Sequence, residues 1–568
     1  MQHDDQYFAA NVRHIMEYSR KTLFAALDSL EGQKTIVWDR SLMKRVNVFA
    51  GPSVLEKHDV VANMALDKQH VTNTPHAVFF LAPTLSALDQ LCTYIDACGK
   101  ESKSLYQVFF IPEAWYVVRE KLKERSEGKY FERLESVQDI PLWWMPQDGE
   151  CLSLAVPELT SRLLINGDWT YLYKCAYALH QVKSMCSGDV PIYSKGKWAQ
   201  DVVRMLSTLG PPAESLPVKS LCLNRIVIID RWLDPLTPLL TQLTYAGLLD
   251  ELYRVSMVGS IKVLKAEFEQ KEDADPFELK EIYLLDEIYH RLKHSHINAI
   301  GHELGGILQE IRNDEEYDRE KMSIAEYQVL VKKMPQILKK KEMCNMHMRL
   351  AEMIQAQLYD SFVDYIKVQK DLLESSNWEK VVTFIEDLIL DAADVSIVLR
   401  MIAIHSLTAG GFKPSVLAAY RRMVMQSYGT DAVSKLLKMQ KMGLIRERGG
   451  SGKLVCDHSL MNYPQIRKQY ELIIDDVHEA DKTNPAYAYS GYCSLLCRIL
   501  AEGDKIKWAG WNKLGDYKGG EDDKTAVFIV GGVTRAELAI IKQLPNISLV
   551  LTSALLVGDS LVDKITTI

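Results

Sequence analysis

Residues 225–252 read RIVIIDRWLDPLTPLLTQLTYAGLLDEL. The opening run Arg225-Ile226-Val227-Ile228-Ile229-Asp230 is apolar at every interior position, with no alternation of period two. A strand of that kind has both faces covered, as in a parallel sheet packed between helices. It is entered after the turn-rich Gly210-Pro211-Pro212 and runs into Asp230-Arg231, Asp234 and Thr237-Pro238.

Its companions are found far along the chain. Leu142-Trp143-Trp144-Met145 lies upstream, and Ala526-Val527-Phe528-Ile529-Val530 and Ser548-Leu549-Val550-Leu551 lie near the end. We therefore expect an α/β domain completed by the return of the chain. An earlier group, Thr35-Ile36-Val37-Trp38, Ala77-Val78-Phe79-Phe80-Leu81 and Val108-Phe109-Phe110-Ile111, alternates with helical patterns and predicts a first doubly wound unit. The stretch between them is mainly helical. The expected division is 1–139, a discontinuous second domain of 140–235 and 478–568, and a helical third domain of 236–477.

The 568 residues carry a net charge of -8, with 47% hydrophobic and 25% charged residues. That is enough to bury several cores, and it offers no basic field for nucleic acid. Residues 1–20 lack the basic and apolar regions of a secretory signal. The longest apolar runs, 77–88 and 547–557, are interrupted by Pro83 or too short to span a bilayer. The ten cysteines form no CxxC pair, and Cys493 with Cys497, spaced for one helical face, is the only close couple. Small buried thiols of a reducing, cytosolic compartment are expected.

Two helical stripes stand out in the third region. Leu350, Ile354, Leu358, Phe362 and Ile366 recur every fourth residue, widened by Met353 and Tyr365. Before them, Tyr327, Leu330, Val331, Met334 and Leu338 form another stripe, and Lys332, Lys333, Lys339, Lys340 and Lys341 crowd around Pro335. Each stripe reads either as the inner face of a core helix or as one arm of a projecting hairpin with a basic tip. Pro335 should interrupt the first arm, because proline lacks the backbone donor and clashes with the preceding turn. A basic tip in an acidic protein suits an acidic partner helix.

Catalytic patterns are not met. Gly449-Gly450-Ser451-Gly452-Lys453 has Glu447 where a phosphate-binding loop requires glycine and Leu454 where it requires Ser or Thr. Gly531-Gly532-Val533-Thr534 follows a strand but lacks the lysine and the third glycine. His290, His294, His296 and His302 cluster without an HExxH motif, and no GxSxG is present. We expect no catalysis, no cofactor and no metal.

The 225–252 segment resembles the signature of the Sec/Munc family, the SM proteins that chaperone SNARE assembly in membrane fusion. Further matching segments are Val331-Lys332-Lys333-Met334-Pro335, His347 to Glu352, Phe384-Ile385-Glu386-Asp387, Tyr489-Ser490-Gly491-Tyr492 and Val530 to Glu537. Thr241-Gln242 replaces a His-Glu pair of syntaxin-dedicated members and is similar to the class C vacuolar-protein-sorting branch, as are Ile36 to Asp39, Gly167 to Tyr173, Ile192 to Lys197 and His296 to Gly301.

The resemblance implies an arch of three domains, α/β plus α. It also implies membership of HOPS and CORVET tethering complexes, peripheral on late endosomes, lysosomes and early endosomes, with membrane association through partners. A SNARE-aligning surface would include Lys332, Lys333, Met334, Pro335, His347, Leu350, Glu352, Ile354 and Leu358. A surface for a helical-solenoid tethering subunit would include Tyr428, Gly429, Thr430, Val433 and Leu437, although Tyr428 and Leu437 fit the local core equally well. The signature residues Asp230, Arg231, Asp234 and Asp250 carry a structural role, with a buried ion pair the expectation for the first three. The rival readings are a nucleotide-dependent cytosolic enzyme and a purely structural tether scaffold.

Overall fold

The computed structural model describes residues 8–68, 74–98, 104–210, 221–270, 275, 277–315, 324–358, 362–448, 462–515 and 524–566. The glycine loop 449–453 and the side chains of Tyr327, Leu330 and Val331 lie outside the described residues. The chain forms two compact units, one of residues 1–154, 178–188 and 210–222, the other of 155–177, 189–209 and 223–568.

The first unit contains β1 (Lys34–Trp38), β2 (Val60–Ala65), β3 (His76–Leu81), β4 (Leu105–Phe110) and β5 (Leu134–Asp139), in the order β2-β1-β3-β4-β5 with every pair parallel. Chain order reverses between β1 and β3, the arrangement of a doubly wound sheet. Ala77 to Leu81 are fully buried, with the helix Leu85–Cys98 laying Leu88, Leu91 and Ile95 over them. The central strands were legible as apolar runs. The edge strands β2 and β5 were not, because they are half exposed and carry mixed residues.

One expected strand is corrected. Leu142-Trp143-Trp144 is buried but not a strand, and the ladder begins only at the short hairpin β6 (Met145–Gln147) and β7 (Cys151–Ser153). Pro141 and Pro146 flank the tryptophans and remove two ladder donors. The Trp144 indole instead donates to the carbonyl of Ala178 at 3.0 Å.

In the second unit, β8 (Ile192–Lys195), β9 (Arg225–Asp230), β13 (Thr525–Val530) and β14 (Ile547–Thr552) lie side by side and parallel, and β12 (Asn512–Leu514) runs antiparallel to β8. Ile226 pairs with Ala526, 300 positions along the chain, so the returning segment does complete the sheet. The helical stretch between holds an unanticipated antiparallel hairpin, β10 (Ser260–Leu264) with β11 (Leu279–Tyr283).

Two helical expectations are also corrected. The stripe 350–366 is not one uninterrupted α-helix: the α-helix Ile324–Gln357 passes into π-helical backbone at Leu358, residues 359–361 lie outside the described residues, and a further α-helix begins at Val363 after π-helical Phe362. The first expected arm, 327–338, and the start of the second, 350–357, therefore lie on a single element, and it runs through Pro335 without a break. A helix can accommodate an internal proline by losing one hydrogen bond and bending around the ring. The partner of this helix is Ile300–Glu315, packed against it through Leu304, Ile307 and Ile311. Cys493 also lies outside its expected helix, since Ser494 caps Leu495–Lys505. The nine described cysteines are free thiols. No described helix is long and apolar enough to cross a membrane.

Candidate partner-binding surfaces

Strand β9 delivers its terminal charges into a buried network. The Asp230 carboxylate accepts the backbone N–H groups of Trp198 and Ala199 at 2.9 and 2.6 Å, capping the helix Lys197–Thr208. Gly196 is required there: its φ is +103°, and a Cβ would meet the Asp230 carboxyl at 2.3 Å. Burial pushes the Asp230 carboxyl up to about 7, against the lowering effect of the N–H donors. Asp230 pairs with no cation among the described residues.

Arg231 turns the other way. Its Nη1 donates to both Glu537 oxygens at 2.9 and 2.7 Å, and its Nη2 lies 3.2 Å from Asp234 Oδ2. All three side chains are at most 1% exposed. Two carboxylates thus share one guanidinium, and the excess negative charge is spread over further donors. Asp234 accepts from the Thr237 and Leu496 N–H groups, and Glu537 from the Thr534 N–H and the Ser494 hydroxyl. Asp250 accepts from Arg535 Nε at 2.7 Å and from the Val255 N–H. It binds the helix Tyr245–Tyr253 to the helix Arg535–Ile541. None of the four signature residues is available to a partner, since all are less than 7% exposed.

The expected SNARE surface divides in two. Lys332, Lys333, Met334 and Pro335 are exposed on Ile324–Gln357, and Glu352 is exposed further along. Leu338, 53% exposed, and Lys339 extend the exposed part, although sequence reading had not counted them as site residues. His347, Leu350 and Ile354 belong to the core, each fully buried, and Leu358 is half-buried against it. The His347 ring lies between Tyr245, whose hydroxyl is 3.0 Å from Nδ1, and Asp286, whose oxygens are both 3.1 Å from Nε2. Helical periodicity alone could not separate the inner stripe from the outer one, because both occupy the same helix. Lys340 is also turned inward, 3.6 Å from Glu287 and 3.7 Å from Glu310.

The second expected surface lies on Pro414–Met442, where Gly429 adopts φ 79° and ψ -168° and kinks the helix. The Tyr428 hydroxyl donates to the Ala393 carbonyl at 2.6 Å, fixing the kink to the turn that follows the helix Trp378–Leu390. Thr430 is exposed, Val433 half-buried and Leu437 49% exposed. Leu390, 72% exposed, and Met425, 46% exposed, add apolar area on these same two helices. Sequence reading missed both, for an isolated Leu or Met carries no local signal of exposure.

The glycines that suggested a nucleotide are occupied by protein. A Cβ on Gly531 would meet Arg231 Cβ at 2.7 Å, and one on Gly532 would meet Leu556 at 2.5 Å. Both have φ near +107°. The following helix terminus is closed by a capping box of Thr534 and Glu537. Among the described residues no His/Cys/Asp/Glu group is arranged to hold a metal.

One cluster imitates a hydrolase triad. Ser490 Oγ is 3.0 Å from His296 Nε2, and His296 Nδ1 is 3.5 Å from Glu479. The proton flow is the reverse of what nucleophile activation needs. His296 Nδ1 accepts the Asn298 N–H, so Nε2 carries the hydrogen and donates to Ser490, whose hydroxyl donates to Glu479 at 2.8 Å. Burial lowers the basicity of the imidazole and keeps this neutral form.

The family model described as the Sec1 family matches residues 34–564. The chain is 55% identical to vacuolar protein sorting-associated protein 33A of Caenorhabditis elegans, over 98% of this chain and 97% of that one. It is 26% identical to the protein of the same name from Rattus norvegicus, over 95% and 94%. Among solved structures it is similar to the SM protein Vps45 in complex with the Qa SNARE Tlg2, with a TM-score of 0.65, 16% identity and 97% of each chain covered. It is also similar to a chain in the Unc18–syntaxin 1 complex from Monosiga brevicollis, with a TM-score of 0.64, 15% identity and 97% and 99% covered. The chain accordingly belongs to the Sec1, or SM, family.

Proposed function

We propose that this protein is a SNARE-assembly chaperone and a subunit of a HOPS- or CORVET-type tethering complex, promoting vesicle fusion with endosomes and lysosomes. Family membership, near-full-length similarity to vacuolar protein sorting relatives, and neighbours solved with SNAREs support this reading. The observation that carries it is the exposed face of the segment Lys332 to Lys339, where lysines border Met334 and Leu338 on a helix whose opposite face, with Ile337, is anchored in the core. Such a helix is preorganised. A SNARE segment aligned on it meets part of its ordering cost before zippering begins.

The proposed SNARE surface is therefore Lys332, Lys333, Met334, Pro335, Leu338 and Glu352. The proposed surface for the helical-solenoid subunit is Thr430, Val433 and Leu437, with Leu390 and Met425 beside them. The three-domain division at 139/140, 235/236 and 477/478 belongs to the same proposal, as does peripheral attachment to endolysosomal membranes through partners. Capture assays with endolysosomal SNARE motifs and with the solenoid subunit test it. Lys332→Glu with Leu338→Asp should abolish only SNARE capture, and Val433→Asp with Leu437→Asp only tether capture. If both double variants capture both partners as the native chain does, neither surface has the proposed role.

A further inference from the structure

Beside the reversed Ser490-His296-Glu479 cluster, a cavity of about 410 Å³ opens in the second unit. Leu240, Leu243, Leu373 and Tyr492 form a buried apolar floor, with the half-buried Ile473 and Ile474 along one wall. The rim carries Glu374, Asp475, Asp476 and Glu479 against a single cation among the described residues, Lys370. Glu374 lies 3.9 Å from Lys370, and Glu479 accepts from Asn298 and Ser490. Asp475 and Asp476 are exposed, with no hydrogen-bond donor or cation bonded to either side chain among the described residues. Asp476 is held at φ 54°, in a segment tied to the cavity's Gly491 by the Ile474 N–H donating to the Gly491 carbonyl at 2.8 Å.

We propose that this cavity is a docking site for an extended protein segment in which an apolar side chain is flanked by lysines or arginines. The floor supplies apolar area that water covers poorly, and the uncompensated carboxylates supply an attraction that the rest of the rim does not neutralise. A partner side chain entering the cavity would bring its basic neighbours against Asp475 and Asp476. The site uses neither the Lys332 to Leu338 helix nor the Thr430 to Leu437 helix, so it extends the proposed function rather than depending on it.

The test is fluorescence anisotropy of the full chain with a labelled peptide of two lysines, a leucine and two lysines, bounded by glycines. Saturable binding is expected, weakened about tenfold by Asp475→Asn with Asp476→Asn and about tenfold by serine in place of the peptide leucine. Both aspartates are exposed, and unchanged circular dichroism checks that the variant is folded. Undiminished binding by the Asn variant, or equal binding of the serine peptide, would overturn the site. So would competition by spermidine at peptide concentrations, because a small free cation would then be the ligand. SNARE and tether capture by the Asn variant should remain native, which separates failure here from failure of the main proposal.

Discussion

Arg231 and Glu537, 306 positions apart in the chain, face each other with two hydrogen bonds of 2.9 and 2.7 Å in a site closed to water. Asp234 draws on the same guanidinium, so removing the cation leaves two buried carboxylates without a counter-charge. Breaking a buried pair from one side costs about 3–5 kcal/mol. Arg231→Met should lower stability by at least that much, read as a lowered thermal midpoint or loss of soluble protein. Glu537→Gln should cost less, because Arg231 keeps Asp234. A smaller loss for Arg231→Met than for Glu537→Gln would contradict the shared-cation arrangement.

Gly531 tests the nucleotide reading directly. Its φ is +107°, and a Cβ would meet Arg231 Cβ at 2.7 Å, so Gly531→Ala combines backbone strain with displacement of the buried arginine. A stability loss of about 2–4 kcal/mol is expected in urea titrations. A nucleotide-dependent enzyme would instead lose saturable nucleotide binding, measurable by calorimetry. Detection of such binding in the native chain would revive that reading.

The extent to which sequence foretold structure depends on the distance over which each signal acts. β9, β13 and β14 were legible because burial on both faces demands apolar runs, and the parallel arrangement follows from them. The Arg231–Glu537 pair was not, since no local pattern joins positions so far apart. The helix stripe was imprecise for a different reason: apolar residues every fourth position continue through Leu358 and Phe362, although the α-helical pattern gives way to π-helical backbone after Gln357. Spacing cannot mark an end that lacks a glycine or proline stop. The same ambiguity placed His347, Leu350 and Ile354 on a partner surface, when only their burial of 0% exposure shows that they hold the helix down.

Ile354→Asp and Leu338→Asp therefore separate two roles that sequence merged. Ile354 lies in the core, and a buried unpaired carboxylate there should cost about 3 kcal/mol or more. Leu338 is 53% exposed, and its substitution should leave the melting temperature within about a degree or two of native. Differential scanning fluorimetry of both variants checks this before any binding assay. Equal destabilisation by the two changes would place Leu338 in the core as well.

His405 and Asp230 give the protein two opposed pH dependences. The His405 ring is stacked on Trp378, edge-on to Phe412, and 3.2 Å from the Tyr420 hydroxyl, and burial pushes its pKa down to about 4. Its unfolded value is about 6.5, so the unfolded chain takes up a proton first as pH falls. Stability from this site is complete above about pH 6.5 and falls by about 3 kcal/mol on the way to pH 4. Asp230 runs the other way: its folded value of about 7 lies above the unfolded value of about 3.9, so its contribution is complete at low pH and is lost as pH rises towards 7. Denaturant midpoints measured from pH 4.5 to 7.5 should show this as a divergence. Relative to the native chain, His405→Gln should gain stability at the acid end, and Asp230→Asn should gain it at the neutral end. Parallel pH profiles for the native chain and His405→Gln would mean that the buried imidazole already titrates near its ordinary value, and that its aromatic cage admits the charge.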